Sequence, residues 1–408
     1  MTAETGGEQR RGRLHAALSA ADSLITSERL RAYSLILLIG YAAGIAVLLA
    51  TLRHGLDAQG KPPGADFIIF YGVSKLTLAG RALAAYSPHL LLAAERTVFA
   101  ASRGVFVWTY PPPFQLVVAP LALAPYGWAL AGWTLVGLAA YLATMRRAAS
   151  ALLPALAFPG VFMNATQGQT GFLVTGLLGG GLLLMETRPW LAGGLLGLLA
   201  VKPQFGLVLP LVCLAGGRWK TALAGATCAL VVSGLATAAF GLDGWRAFLA
   251  ASARTGGYLA AGALPLEKDP SLFAALARIG APTPWALAAQ LIQAALAVAL
   301  AWPLWRRGPA DLAAAAAILA TLIALPYLFD YDLALLAVPI AIAARHVSVG
   351  APAGAKSSLV LLAILPIVLA PLGKYAFLPI GPIALWCGFL GLLAIARVEQ
   401  RDRLQPAT

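Results

Sequence analysis

The stretch YSLILLIGYAAGIAVLLATL (33–52) carries no charged side chain. At about 1.5 Å per residue, a helix of this length crosses the roughly 30 Å hydrocarbon core of a bilayer. Comparable apolar segments recur to the end of the chain, so the protein reads as an all-α, polytopic transmembrane helix bundle. Composition agrees. Of the 408 residues 60% are hydrophobic and 11% charged, and the mean hydropathy of +0.81 lies outside the range of soluble domains. Residues 1–32 are polar and basic and lack a hydrophobic region ending in a small-residue cleavage site. The first segment is therefore expected to remain as an anchor. Residues 1–32 and 397–408 then form cytoplasmic tails around a membrane domain at 33–396.

The net charge of +13 does not point to nucleic acid. The basic residues form no stripe with interleaved aromatics; they punctuate the apolar segments, as positive-inside loops do. With NATQGQ (164–169) outside, spans are expected near 151–164, 168–186, 189–201, 203–216, 219–240, 285–305, 311–326, 331–345, 357–370 and 379–396. Arg146-Arg147, Arg188, Arg218, Arg306-Arg307, Arg345 and the RVEQRDR tail then all fall inside. Together with 33–52 and 126–145 this gives about 12 spans. The apolar piece 112–124 has the wrong parity and carries Pro112, Pro113 and Pro120, which predicts a re-entrant or half-depth helix. Two long external loops are expected, 53–110 and 241–284, the first with surface-lying helices at 66–85 and 88–103. No internal repeat is visible, which weighs against an inverted-repeat transporter. Cys213, Cys228 and Cys387 sit within apolar segments with no metal-type spacing. Abundant Ala, Leu, Gly and Arg point to a GC-rich bacterial genome and so to a bacterial inner membrane.

Polar residues that interrupt this apolar background are the candidates for function. Asp66, in GADFIIFY (64–71), can cap the helix that follows it. It can equally accept a proton from a hydroxyl, and the two roles are compatible. Asn164, Gln167 and Gln169 either terminate helices or offer amide donors and acceptors to sugar hydroxyls. Lys202 precedes Pro203, which breaks the helix and frees backbone polar groups; its ammonium either snorkels or meets a phosphate as a point charge. Gln204 follows. In PYLFDYD (326–332), Asp330 and Asp332 stand at i and i+2 and do not share a helical face. One is expected to cap the next helix and the other to face a cavity with Tyr331. A divalent metal at these two acids stays open as an alternative, but no second acidic cluster clearly joins them, and the scattered histidines form no zinc pattern or triad.

In order, these pieces resemble a known family. The chain has D-F-x-x-x-Y at Asp66–Tyr71, Y-P-P at Tyr110–Pro112, Gly168-Gln169 opening a span, and Ala192-Gly193 leading to Lys202-Pro203. An acid–aromatic pair comes late. This set, over roughly 64–345, resembles the GT-C-type integral-membrane glycosyltransferases of family 87, which include polyprenol-phosphate-mannose-dependent mannosyltransferases. The late motif departs from the pattern: where many relatives carry Trp or His beside the acid, this chain reads Phe329-Asp330-Tyr331.

The resemblance implies an active site on the external face and transfer of a hexose, mannose by analogy, from a polyprenyl-phosphate sugar to a lipid-linked or envelope glycan. It implies Asp66 as the base. Tyr71 and Tyr110 join the substrate-binding candidates Asn164, Gln167, Gln169, Gln204, Asp330 and Tyr331, with Lys202 on the donor phosphate. A phosphate leaves as a stable anion, so one base suffices, inversion follows from in-line attack, and no metal or other cofactor is required. The expected partners are the lipid-linked donor, a glycolipid or glycan acceptor and membrane lipids, with no nucleic acid. The alternative is a transporter or flippase of lipid-linked sugars, which should place its ionisable groups at mid-membrane rather than at span ends.

Overall fold

A computed structural model describes residues 2–101, 107–260, 264–347 and 352–404. Among the described residues the regular structure is helical, with no strand beyond an isolated bridge between Arg53 and Leu56. Among the described residues, six helices are long and apolar enough to cross a membrane: Ser27–Thr51, Tyr126–Ala148, Trp219–Tyr258, Thr283–Arg307, Ala355–Ala376 and Ile380–Arg401. Six apolar helices of 10–17 residues stand between them: Phe67–Leu78, Pro112–Leu123, Gly171–Leu184, Pro189–Val201, Pro203–Gly216 and Ala310–Ala324. The expected dozen full-length spans thus resolves into long and short helices. Proline at the start of several short ones sets the breaks, because it supplies no N–H to a preceding turn. The 112–124 piece is short, as expected: an α-helix at Pro112–Val118 and a 3-10 turn at Leu121–Leu123.

The short Ala310–Ala324 helix lies at the centre. Every residue from Leu312 to Ala324 is buried, so it has no polar face to present. Its run of alanines lets neighbouring helices approach closely, and Thr283–Arg307 and Ile380–Leu404 pack against it. Gln290 and Gln293 lie buried on the Thr283–Arg307 helix, and each donates to the Ile323 carbonyl, at 2.8 and 3.1 Å. That closes carbonyls left free where the central helix ends at Leu325.

Three expectations change. Residues 66–85 do not form a surface-lying helix: Phe67, Ile68, Phe70 and Val73 are fully buried. The Phe67–Leu78 helix is held in the core by an aromatic cluster, in which Phe70 meets Trp108, Tyr110, Phe114 and Trp133 edge-on with centroids 5.2–6.2 Å apart. Mixed Lys75 and Arg81 suggested a surface helix, but those charges fall at its last turn and beyond. The expected 241–284 loop is helical in its first part. The Trp219–Ala260 helix turns at Gly241 (φ 69°, ψ 177°), a conformation closed to other residues, and then continues. The helices also overrun the expected span ends: the first runs from Ser27, with Thr26 accepting from the Arg29 N–H, and the last runs on to Leu404.

The bundle has two chemically distinct ends. Tyr126 opens the Tyr126–Ala148 helix and donates from its hydroxyl to the Pro63 carbonyl, close to Asp66, while Arg146 and Arg147 close that helix. The Ala337–His346 helix starts just after Asp330–Leu336 and ends at Arg345-His346, where Arg345 donates to the Arg147 carbonyl. Asp66 and Asp330 therefore share one end of these helices and the basic residues share the other.

Candidate active site

At the end opposite the basic cluster the structure encloses an open cavity of about 410 Å³. Five breaks in helical structure build it: 107–111, 167–169, 202–204, 264–268 and 327–332. Each has a local cause. The Pro159–Gln167 helix stops at Gly168, in the left-handed region (φ 64°), and a side chain there would strike Phe67. The turn aims Gln167 and Gln169, on either side of it, into one space. Pro203 forces the preceding Lys202 out of helical geometry (φ −148°, ψ 68°) between two 3-10 turns.

Asp66 sits at the N-cap position of the Phe67–Leu78 helix, yet its side chain makes no capping hydrogen bond. Instead Oδ2 accepts from Gln169 Nε2 at 3.1 Å. Gln169 Oε1 accepts in turn from the Tyr110 hydroxyl at 3.2 Å and the Thr170 N–H at 3.1 Å, which fixes which end of the amide faces Asp66. The Tyr86 hydroxyl donates to the Tyr110 carbonyl and holds that loop. Burial pushes the Asp66 carboxyl above its ordinary pKa, against the opposing pull of the Gln169 hydrogen bond and the Lys268 charge. Burial also pushes up the Tyr110 phenol, with Asp332 and Asp66 adding to the shift, so that hydroxyl stays protonated and donates.

Lys202 and Asp332 form the floor. Lys202 Nζ lies 2.5 Å from Asp332 Oδ1, both side chains almost wholly buried, and donates to Thr170 Oγ1 at 3.1 Å. The ammonium also lies 5.1 and 5.2 Å from the ring centroids of Phe205 and Tyr331. Asp332 Oδ2 accepts from the Phe329 N–H, closing the start of the 330–336 turn. The expected cap of a 333–345 helix does not form: Asp332 lies inside this turn, and the Ala337–His346 helix that follows starts without a side-chain cap. Asp330 lines the same cavity: Oδ1 accepts from Gln167 Nε2 at 3.3 Å and from the Tyr331 N–H at 2.9 Å. Its Oδ2 is 3.7 Å from Lys268 Nζ.

Eight of the ten sequence candidates line this one cavity: Asp66, Tyr110, Gln167, Gln169, Lys202, Gln204, Asp330 and Tyr331. Two do not. The Tyr71 hydroxyl donates to the Ala124 carbonyl at 2.9 Å, and Asn164 Oδ1 accepts from the Gly171 N–H at 2.6 Å. Both tie elements together behind the wall. Lys61 and Lys268, which the sequence did not single out, also line the cavity, as does Tyr327 of PYLFDYD. The single signal for Lys268 was its position in LEKDP (266–270), a charged patch in an apolar loop. Among the described residues no group of three or more His, Cys, Asp and Glu side chains is placed to hold a metal ion.

Comparison with curated proteins and with solved structures returned no match. The pattern of glycosyltransferase family 87 matches residues 108–339. That span takes in the polar residues of the cavity except Lys61 and Asp66, which precede it on the wall. The match covers more than half of the chain and most of the cavity lining, and this chain belongs to glycosyltransferase family 87.

Proposed function

We propose that this membrane glycosyltransferase is of GT-C type and transfers a hexose, mannose by family analogy, from a polyprenyl phosphate to a lipid-linked or envelope glycan. The cavity then opens on the external face of a bacterial inner membrane, opposite the basic, cytoplasmic end. The observation that carries this reading is Asp66. It is a carboxylate with no capping duty, oriented by Gln169 on the wall of a cavity that also presents Lys61, Lys202 and Lys268.

In this reading the acceptor hydroxyl gives its proton to Asp66 while its oxygen attacks the anomeric carbon. The bond from that carbon to the phosphate oxygen breaks, and polyprenyl phosphate leaves with the electron pair. Inversion follows from the in-line path. Burial raises the proton affinity of the Asp66 carboxylate, which strengthens it as a base. Phosphate charge is met by the lysines. Lys202, singled out from sequence, spends two of its three N–H donors on Asp332 and Thr170 and keeps one for the phosphate, whereas Lys61 is exposed. Gln167, Gln204 and Tyr331 offer hydrogen bonds to sugar hydroxyls. No metal or other cofactor is assigned a step.

The test is purified protein in liposomes with labelled polyprenyl-phosphate mannose and an alkyl mannoside acceptor. Label moving into the acceptor with inverted configuration supports the proposal. Label crossing the bilayer without transfer would replace it with the flippase alternative.

A further inference from the structure

We propose that Lys268 is shared between Asp330 and the phosphate of the donor, so that donor binding uncovers Asp330 for a hydroxyl of the acceptor and orders the two substrates. The inference rests on the reading of the cavity as a site for a lipid-phosphate sugar, and it begins from a difference between two lysine–aspartate pairs that line the same wall. Lys202 and Asp332 are 2.5 Å apart with side-chain exposures of 6% and 2%. Asp332 spends its second oxygen on the Phe329 N–H, and Lys202 also donates to Thr170. That pair is closed. Lys268 and Asp330 are 3.7 Å apart, beyond hydrogen-bond reach, and Lys268 is 41% exposed while Asp330 is 1% exposed.

Asp330 is thus only half satisfied. Oδ1 has two donors, but Oδ2 is buried with no hydrogen-bond partner among the described residues. A buried carboxylate oxygen left without a donor is costly, and a hydroxyl arriving in the cavity would relieve it. The ammonium that faces Oδ2 is weakly held and stands on a flexible stem from the Leu266–Lys268 turn. A phosphate offers it short, charge-assisted hydrogen bonds, which are stronger than a 3.7 Å ion pair. When Lys268 turns to the phosphate, Asp330 Oδ2 loses its electrostatic partner and becomes the acceptor that a sugar hydroxyl would meet.

Opposite signs make the inference testable. Asp330 competes with the phosphate for Lys268, so Asp330→Asn should tighten the donor, lowering its KM about two- to fivefold, while raising the KM of the acceptor about tenfold. Lys268→Gln should raise donor KM about tenfold or more, and Lys268→Arg should recover most of that loss. The probes are labelled polyprenyl-phosphate mannose and octyl mannoside, with direct donor binding to purified protein to separate affinity from turnover. Unchanged donor KM in Lys268→Gln, or weaker donor binding in Asp330→Asn, would overturn the sharing while wild-type transfer left the proposed function standing. A wild-type protein that ignores the lipid-phosphate donor but uses a nucleotide sugar would overturn both.

Discussion

Asp311 and Asp66 each stand at the start of a short apolar helix, at opposite ends of the bundle. Asp311 Oδ2 accepts from Arg345 at 2.6 Å and lies 2.8 Å from His346 Nε2, while Arg345 is fixed to the Arg147 carbonyl and His346 Nδ1 reaches Glu399 at 3.4 Å. Three helix ends are stapled by charges that answer one another. Among the described residues Asp66 has one side-chain partner, the neutral amide of Gln169, and no cation within salt-bridge distance. At the basic end carboxylates are spent on holding helices together. At the cavity end Asp66 and Asp330 keep bonding capacity free, which ordinary stability would not favour.

The largest effect should follow from removing the free carboxylate. Asp66→Asn is expected to lower transfer by roughly 10² to 10⁴, the range for a lost general base. Its melting temperature should stay at the wild-type value, since no cap hydrogen bond is lost. A stable variant with near wild-type turnover would break the contrast between the two ends. Lys202→Met should instead appear as instability of about 3–5 kcal/mol, because it strands buried Asp332 without its partner. Adding Asp332→Leu should restore much of that loss in thermal melts. A destabilised double variant would show that the pair contributes more than mutual neutralisation.

Gln169 sharpens the comparison through pH. A base works ionised, so kcat/KM must fall as pH drops through the Asp66 pKa, and burial sets that fall above the ordinary carboxylate value of about 4. Gln169 donates to the anion and holds the pKa down. Gln169→Leu should therefore move the acid limb further up in pH and reduce the rate at neutral pH, with roughly a tenfold loss at most. A limb that stays in place would separate Gln169 from Asp66. The smallest effect belongs to the basic end: Asp311→Asn, in a partly exposed cluster, should shift stability by about 1 kcal/mol or less and leave transfer unchanged.

Much of this was legible before any coordinates. Long charge-free runs gave the Ser27–Thr51 and Thr283–Arg307 helices, and Asp66, Gln169 and Lys202 stood out because polar residues are costly in an apolar chain. Tyr71 and Asn164 stood out on the same ground, yet their polar atoms satisfy the backbone at Ala124 and Gly171. Sequence cannot tell a polar group aimed at a cavity from one closing a helix end.

Composition and the spacing of apolar runs by themselves determined that this is a helical membrane protein whose polar interruptions matter, because burying apolar surface is local arithmetic over a segment. Only the tertiary structure decided which charges are spent and which are free. Lys202 meets Asp332 across 130 residues and Gln169 meets Asp66 across 103. Lys268 comes to rest beside Asp330 from a loop whose sequence named no partner. Such pairings depend on how helices pack, and the energy of a charge depends on its distance to another and on the water excluded between them.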